Sequence, residues 1–234
     1  MKLLAFDTST ETLSIAVEQD GRLWQHQGAG GPQASATLIP AILVLLAQAG
    51  LRLTQLDAIA FGRGPGSFTG LRTACAVAQG LGFGASVPLL PVDTLLAVAE
   101  DARQQHGATQ LVAALDARMD EVYHAAFAWA HGAWQQADNS ADFSLCAPEA
   151  VAVPPGWALA GNAHRAYGER IAPGAARLDA LPTAAALLRL APALLSAGAT
   201  VPADQALPRY IRDKVAKTTV ERAAERAAQE AAHP

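Results

Sequence analysis

Residues 1–10 read MKLLAFDTST, and residues 111–120 read LVAALDARMD. In each stretch a short apolar run ends in an acidic residue, Asp7 or Asp116, as expected for a central strand that is covered on both faces. Each run is followed by a second strand-like segment that ends in a turn pair, DG in the first half and HG in the second. The shared motif and spacing predict an internal duplication of one strand-rich unit.

The rest of the chain alternates strands with helices. In the first half, alternating apolar and polar residues over 12–18 predict a half-exposed strand beside the central one. Further strands are predicted over 22–27, 56–61, 88–92, 121–129 and 157–161, and helices over 34–50, 67–84, from 93 or 94, over 162–171 and over 183–197.

This order predicts two lobes that face each other across a cleft lined by the loops after the first strand of each half. The lobe boundaries are predicted at 1–106 and 107–212. The short segment 208–212 is expected to dock back on the body. Residues 213–234 mix basic and acidic side chains with alanine and predict a charged helix or a disordered tail.

Composition excludes several classes of protein. With 234 residues and 51% hydrophobic content the chain can bury a proper core. Its formal charge of −4 provides no general attraction for a polyanion, so strong tRNA binding by this chain alone is not expected. The chain has two cysteines and neither a CxxC motif nor a Cys/His pairing, so we expect both to be small buried residues of a protein in a reducing compartment. This predicts a cytoplasmic protein. No stretch approaches the ~20 apolar residues that span a bilayer, so no membrane partner is expected.

The most distinctive string is GRGPGSFTGLR at 62–72, at a predicted junction between strand and helix. Glycines allow close backbone approach and a helix N-terminus attracts anions, so a phosphate cradle is one interpretation. The other is a tight turn with Ser67 as the N-cap of the helix. The string is neither a Walker loop nor a GxGxxG fingerprint, and both interpretations remain open.

The predicted helices over 34–50 and 67–84 carry one charged residue between them, Arg72, whereas a surface helix normally has a polar face. They are therefore either interior helices rich in alanine or helices that bind a partner. The candidate interface combines an apolar stripe with a row of small residues, and its members are Leu38, Ile39, Ile42, Leu45, Leu46, Gly70, Leu71, Ala74 and Ala78.

Four motifs in this order, at 1–10, 62–72, 115–123 (LDARMDEVY) and 208–212 (PRYIR), closely resemble the bacterial TsaB (YeaZ) family. The resemblance covers residues 1 to about 212. It implies an α/β fold of the duplicated actin-like or sugar-kinase-like ATPase type (ASKHA, RNase H-like) with two lobes, in agreement with the repeat.

The resemblance also implies a function. Members of this family are non-catalytic subunits of the machinery that makes threonylcarbamoyladenosine (t6A) next to the anticodon of tRNA. The implied partners are the catalytic subunit TsaD, which would be bound and activated through the first two helices, and the ATPase TsaE, with TsaC supplying threonylcarbamoyl-adenylate. A homodimer through the same surface is expected when the partner is absent.

Catalytic members of the fold grip phosphates through glycine-bearing turns after the acidic residue. Here both loops lack glycine, which predicts weak or absent nucleotide binding by this chain alone. The resulting vestigial nucleotide cleft comprises Asp7, Thr8, Ser9, Thr10, Gly64, Gly66, Ser67, Asp116 and Arg118. Asp7 is expected to order its own turn, and Arg118 to pair across the cleft or to lie on a partner surface.

No bound metal is predicted on this chain, because none of its six histidines is paired at helical ligand spacing. No catalytic residue is predicted either, because no Ser-His-Asp arrangement can be argued, and no cofactor is expected on this chain alone. ATP or ADP and metal are expected on the partner subunits. The alternative is an ATP-dependent kinase or acyltransferase of the same fold that uses Asp7 and Asp116 around a magnesium nucleotide. A peptidase is a more distant possibility.

Overall fold

The computed structural model describes residues 1–137 and 143–212, and the predicted tail over 213–234 lies outside them. The strands of the first sheet are β1 (Lys2–Asp7), β2 (Thr12–Gln19), β3 (Arg22–Ala29), β4 (Ala58–Gly64) and β5 (Leu89–Asp93). Those of the second sheet are β6 (Gln110–Arg118), β7 (Glu121–Ala130), β8 (Ala133–Gln136), β9 (Ser144–Cys146), β10 (Ala158–Gly161) and β11 (Ala176–Leu178). The helices are α1 (Ala34–Ala49), α2 (Phe68–Ala85), α3 (Thr94–His106), α4 (Ala163–Tyr167) and α5 (Ala184–Ser196).

The two sheets have the same topology. The strand order is β3-β2-β1-β4-β5 in the first and β11-β10-β6-β7-β8 in the second, where β9 also pairs with β7. In each sheet the central strand, β1 or β6, has an antiparallel hairpin partner on one side and a parallel strand on the other. The turns that join β2 to β3 and β7 to β8 each consist of two residues with positive φ, Asp20-Gly21 and His131-Gly132. The predicted duplication is confirmed.

Helices α1 and α2 cover one face of the first sheet. Their inward side chains form one apolar cluster with alternate residues of β1, such as Leu4 and Phe6. α1 ends where Gly50 adopts the left-handed conformation with φ 68°, which a residue with a Cβ adopts less readily. The lack of charge along α1 is therefore explained on its inner side but not on its outer side.

The other face of the first sheet is covered by α5, a helix from the second half of the chain. Leu3 and Ala5 of β1 pack against Leu187 and its neighbours on α5. The hydroxyl of Ser14 accepts a hydrogen bond of 2.9 Å from the amide of Ala184 at the start of α5. The prediction that β2 is half exposed is therefore wrong, because α5 covers its polar side.

Between the two sheets, α5 lies against α3, and α3 packs on the second sheet. The buried carboxylate of Glu100 on α3 accepts hydrogen bonds from Arg103, from Arg189 of α5 and from the indole of Trp134. One carboxylate thus links α3, α5 and the β7–β8 hairpin. The predicted lobe boundary at 106/107 falls in the connection between α3 and β6.

The helix predicted over 162–171 is shorter than expected. α4 stops at Tyr167, because Gly168 has φ 56° and ψ −131°, and a single 3-10 turn follows over Gly168–Arg170. Among the described residues, no helix combines the length and apolar character needed to cross a membrane.

Candidate functional site

A cavity of about 410 Å³ lies between the two lobes. Its walls come from the loop after β1, the start of α2, the β6–β7 turn and the segment before residue 213. Of the nine residues predicted for the cleft, those that line it are Ser9, Thr10, Gly66, Ser67, Asp116 and Arg118. Asp7, Thr8 and Gly64 are buried and are not part of the cavity wall.

Asp7 orders its own turn, as predicted. Its Oδ1 atom accepts hydrogen bonds from the amide and the hydroxyl of Ser9, at 2.8 and 2.6 Å. The buried Oδ2 atom has no hydrogen-bond partner in the described part of the chain. Burial raises the pKa of Asp7 to about 6, although the two hydrogen bonds from Ser9 oppose the rise. A carboxylate in this position cannot reach a ligand in the cavity without a rearrangement of the turn.

The glycines of the 62–72 motif allow the loop after β1 to approach closely. A Cβ at Gly62 would lie 1.7 Å from Oδ2 of Asp7, and one at Gly70 would lie 1.8 Å from the carbonyl oxygen of Thr8. Ser67 caps α2, since its hydroxyl accepts a hydrogen bond of 3.4 Å from the amide of Gly70. These contacts account for the motif through packing and capping, the second of the two interpretations.

The corresponding turn of the second lobe is also occupied by the chain's own groups. The Asp116 carboxylate accepts hydrogen bonds from the amide of Arg118 and from the hydroxyl of Tyr167, at 2.8 and 2.7 Å. Burial and this hydrogen bond to Asp116 raise the pKa of Tyr167 to about 12. The guanidinium of Arg118 pairs with Asp116 on its own hairpin at 3.2 Å rather than across the cleft. Its side chain is 79% exposed, so a position on a partner surface stays a prediction.

Eight of the nine residues chosen for a partner interface are buried in the chain's own core. They are Leu38, Ile42, Leu45, Leu46, Gly70, Leu71, Ala74 and Ala78. This choice was wrong because the most apolar stripe of α1 faces the sheet, and the small residues of α2 face the sheet and the loop after β1. Only Ile39 of that set is exposed.

The outer surface of α1 and α2 is nevertheless apolar. The exposed fractions of its large side chains are 41% for Ile39, 51% for Leu43, 56% for Val44 and 84% for Phe83. Arg72 is the only charged residue in the two helices. Four exposed large apolar side chains on two nearly uncharged helices are typical of a protein-binding site. We call these four residues the outer patch.

The cysteines differ from their prediction in one respect. Cys75 is buried, and its thiol donates a hydrogen bond of 2.8 Å to the carbonyl oxygen of Ala206. Cys146 is only half buried and lies 3.2 Å from Nε2 of His124, because β9 pairs with β7. Burial raises the pKa of both thiols, so this geometry does not favour a reactive thiolate. Within residues 1–137 and 143–212, no group of three or more His, Cys, Asp or Glu side chains is arranged to hold a metal ion.

The segment that carries the PRYIR motif forms a part of the cleft wall that was not predicted from the sequence. Arg209, Tyr210, Ile211 and Arg212 all line the cavity. The motif predicted docking on the body, but the signal in five residues is too short to indicate where.

Comparison with known proteins places this geometry in a family. A family model described as TsaD, tRNA N6-adenosine threonylcarbamoyltransferase, matches residues 31–220. The tRNA threonylcarbamoyladenosine biosynthesis protein TsaB of Escherichia coli (strain K12) is 34% identical over 226 residues, which cover 92% of this chain and 96% of the relative. The TsaB protein of Haemophilus influenzae is 36% identical over 230 residues, covering 92% and 95%. The chain belongs to the TsaB (YeaZ) family.

A solved structure supports the same conclusion. YeaZ from Pseudomonas aeruginosa matches with a TM-score of 0.82 and 41% sequence identity, over 90% of this chain and 99% of that chain. The TsaB fold is therefore that of the two lobes described above, and the expected ASKHA-type α/β architecture is confirmed. A second P. aeruginosa structure, which matches equally well, is described as an uncharacterized protein with similarity to peptidase YEAZ. The names of these proteins refer to different activities, so the geometry of the site is the better guide.

Proposed function

We propose that this chain is a non-catalytic TsaB subunit in the biosynthesis of threonylcarbamoyladenosine in tRNA, and that it binds and activates a TsaD-like catalytic subunit through the outer patch. The observation that carries the proposal is the exposure of Ile39, Leu43, Val44 and Phe83 on two adjacent helices with one charge between them. The same patch would bury itself in a homodimer when the partner is absent.

The chemistry of the outer patch favours a partner protein. The side chains that fold α1 and α2 onto the sheet point inward, so the outer side chains contribute little to the chain's own core. Covering them with a complementary apolar surface would stabilise a complex by about 25 cal/mol for each Å² of apolar area removed from water. A specific pair of this kind usually buries roughly 1,600 Å² in total.

The cleft supports a non-catalytic role. A kinase or acyltransferase of this fold would need Asp7 in contact with a magnesium nucleotide, but Asp7 is buried behind Gly62 and bonded to Ser9. Asp116 is likewise engaged by Arg118 and Tyr167. We therefore assign ATP or ADP and metal to the TsaD-like and TsaE-like partners rather than to this chain.

The proposal is tested by placing a charge in the outer patch. Leu43→Glu and Phe83→Glu are compared with Leu23→Glu, a matched control because Leu23 is an apolar side chain on β3 with a similar exposure of 43%. Burying an unpaired carboxylate in an apolar interface costs several kcal/mol, so the affinity for the TsaD-like subunit should fall by at least ~10-fold in both patch variants.

The affinity is measured by titration calorimetry after circular dichroism has confirmed that each variant is folded. A reconstituted assay then follows threonylcarbamoyl transfer to tRNA, which should decrease in proportion. Wild-type affinity in both patch variants would show that the partner binds elsewhere. Turnover of ATP by the isolated chain would contradict the non-catalytic role.

A further inference from the structure

The segment Ala206–Arg212 begins on the first lobe. The carbonyl oxygen of Ala206 accepts hydrogen bonds from Cys75 and Gln79 of α2, at 2.8 and 2.9 Å. The amide of Arg209 then donates to the carbonyl oxygen of Arg63, at 2.7 Å. The start of the segment is therefore fixed to α2 and to the end of β4.

Two side chains strengthen this attachment. The ring of Tyr210 lies 5.3 Å from that of Phe68, and its hydroxyl accepts a hydrogen bond of 3.1 Å from Arg72. Arg209 pairs with Asp93 at 3.1 Å. Both partners of Tyr210, Phe68 and Arg72, belong to α2, so the contacts of this side chain are with the first lobe.

The end of the segment lies on the second lobe. The guanidinium of Arg212 donates to the carbonyl oxygens of Ala117 and Arg118, at 3.1 and 3.3 Å, and also pairs with Glu121. Ile211 packs against the apolar cluster between α3 and the second sheet. Seven residues thus join the two walls of the cleft.

The turn that Arg212 contacts has an unusual backbone. Arg118, Met119 and Asp120 have φ values of 61°, 57° and 62°, three consecutive non-glycine residues in the left-handed region. L-residues rarely adopt this conformation, and such a run persists only where the surroundings impose it. Arg212 contacts one end of the turn, and Arg170 pairs with Asp120 at the other end, at 2.7 Å.

We propose that Ala206–Arg212 is a strap that couples the two lobes. Tyr210 anchors the strap on α2, and Arg212 holds the left-handed turn of the second lobe, so the width of the cleft and the conformation of the turn are set together. A ligand or partner that lifts the strap would open the cleft and release the turn in one step. This proposal does not depend on the identity of the partner.

Amide hydrogen exchange followed by mass spectrometry tests the coupling on the whole chain. Arg212→Ala should increase the exchange rate of the peptide covering 115–123 by at least tenfold. The decisive variant is Tyr210→Ala, which removes contacts in the first lobe only. The strap predicts that it also increases exchange over 115–123, whereas Tyr210→Phe, which keeps the ring on Phe68, increases it much less.

Two comparisons keep the test specific. Arg165→Ala breaks a pair with the exposed Asp179 and should leave the 115–123 peptide unchanged. Unchanged exchange in β1 and β4 verifies that each variant is folded. If Tyr210→Ala leaves exchange over 115–123 at the wild-type rate, the contacts at the two ends are independent and the strap is refuted.

Discussion

Replacing Asp7 with asparagine should change how the stability of the chain depends on pH. Asp7 is fully buried, and its pKa in the folded chain is about 6 against an ordinary value of 3.8. The folded state therefore binds this proton more tightly than the unfolded state does. The stabilisation is fully present below pH 3.8, falls as the pH rises towards about 6, and is lost above that.

The size of the effect follows from the shift. A difference of about 2 pKa units, at about 1.4 kcal/mol for each unit, amounts to roughly 3 kcal/mol of unfolding free energy. Asparagine retains an oxygen that can accept the bonds from Ser9 but has no proton to lose. The stability of Asp7→Asn relative to the wild type should therefore rise by up to ~3 kcal/mol between about pH 4 and about pH 8.

Urea unfolding, followed by the fluorescence of the four tryptophans, measures this difference at each pH. Using the change with pH removes any constant effect of the substitution itself. Asp20→Asn is the matched control, because Asp20 is 71% exposed, and its stability relative to the wild type should change by less than ~0.5 kcal/mol. Parallel curves for Asp7→Asn and the wild type across this range would refute the assignment of a costly buried charge.

Three further substitutions test the packing. Gly62→Ala should lower the unfolding free energy by ~1–3 kcal/mol, because the new Cβ would lie 1.7 Å from a buried carboxylate oxygen, and thermal unfolding measures the loss. Gly80→Ala on the open face of α2 should instead raise the melting temperature, since no atom lies within 4 Å of its Cβ position and alanine favours the helix by ~1 kcal/mol. Glu100→Ala should cost ~3–5 kcal/mol in urea unfolding, because its side chain is only 2% exposed and its arginine partners would lose their carboxylate. The exposed Glu149→Ala, which breaks a surface pair, should have a much smaller effect.

The duplicated topology could be predicted because it is written in local patterns. Each half contains an apolar run that ends in an acid and a hairpin whose turn pair adopts positive φ. These signals lie within about twenty residues of each other along the chain, where strand and turn preferences act directly. The turn formed by Asp7 and the N-cap at Ser67 were predictable for the same reason.

The orientation of α1 could not be obtained in this way. In a helix with one polar face, the sequence pattern indicates which side is buried. α1 has no charged residue, and its outer side chains are apolar as well, so its sequence does not indicate this. Choosing the most apolar stripe selected Leu38 and Ile42, which face the sheet, and passed over Val44 on the outside. Burial by the sheet and burial by a partner leave the same mark in the sequence.

The cover on β2 was missed because it comes from far along the chain. Ser14 and Ala16 match the polar side of a half-exposed strand by pattern, yet both are buried. The hydroxyl of Ser14 accepts its hydrogen bond from the amide of Ala184, which lies 170 residues later in the chain. Periodicity within one strand contains no information about a helix so distant in sequence.

The position of α5 has a consequence for how the protein is made. The first sheet is complete at Asp93, but α5, which covers the face of that sheet opposite α1 and α2, ends only at Ser196. At ~5–20 residues per second, a nascent chain would display Leu3, Ala5 and Leu90 without their cover for roughly 5–20 s. During that interval the ribosome-bound intermediate exposes an apolar sheet face that is prone to aggregation. The first lobe is therefore where a chaperone would be needed first.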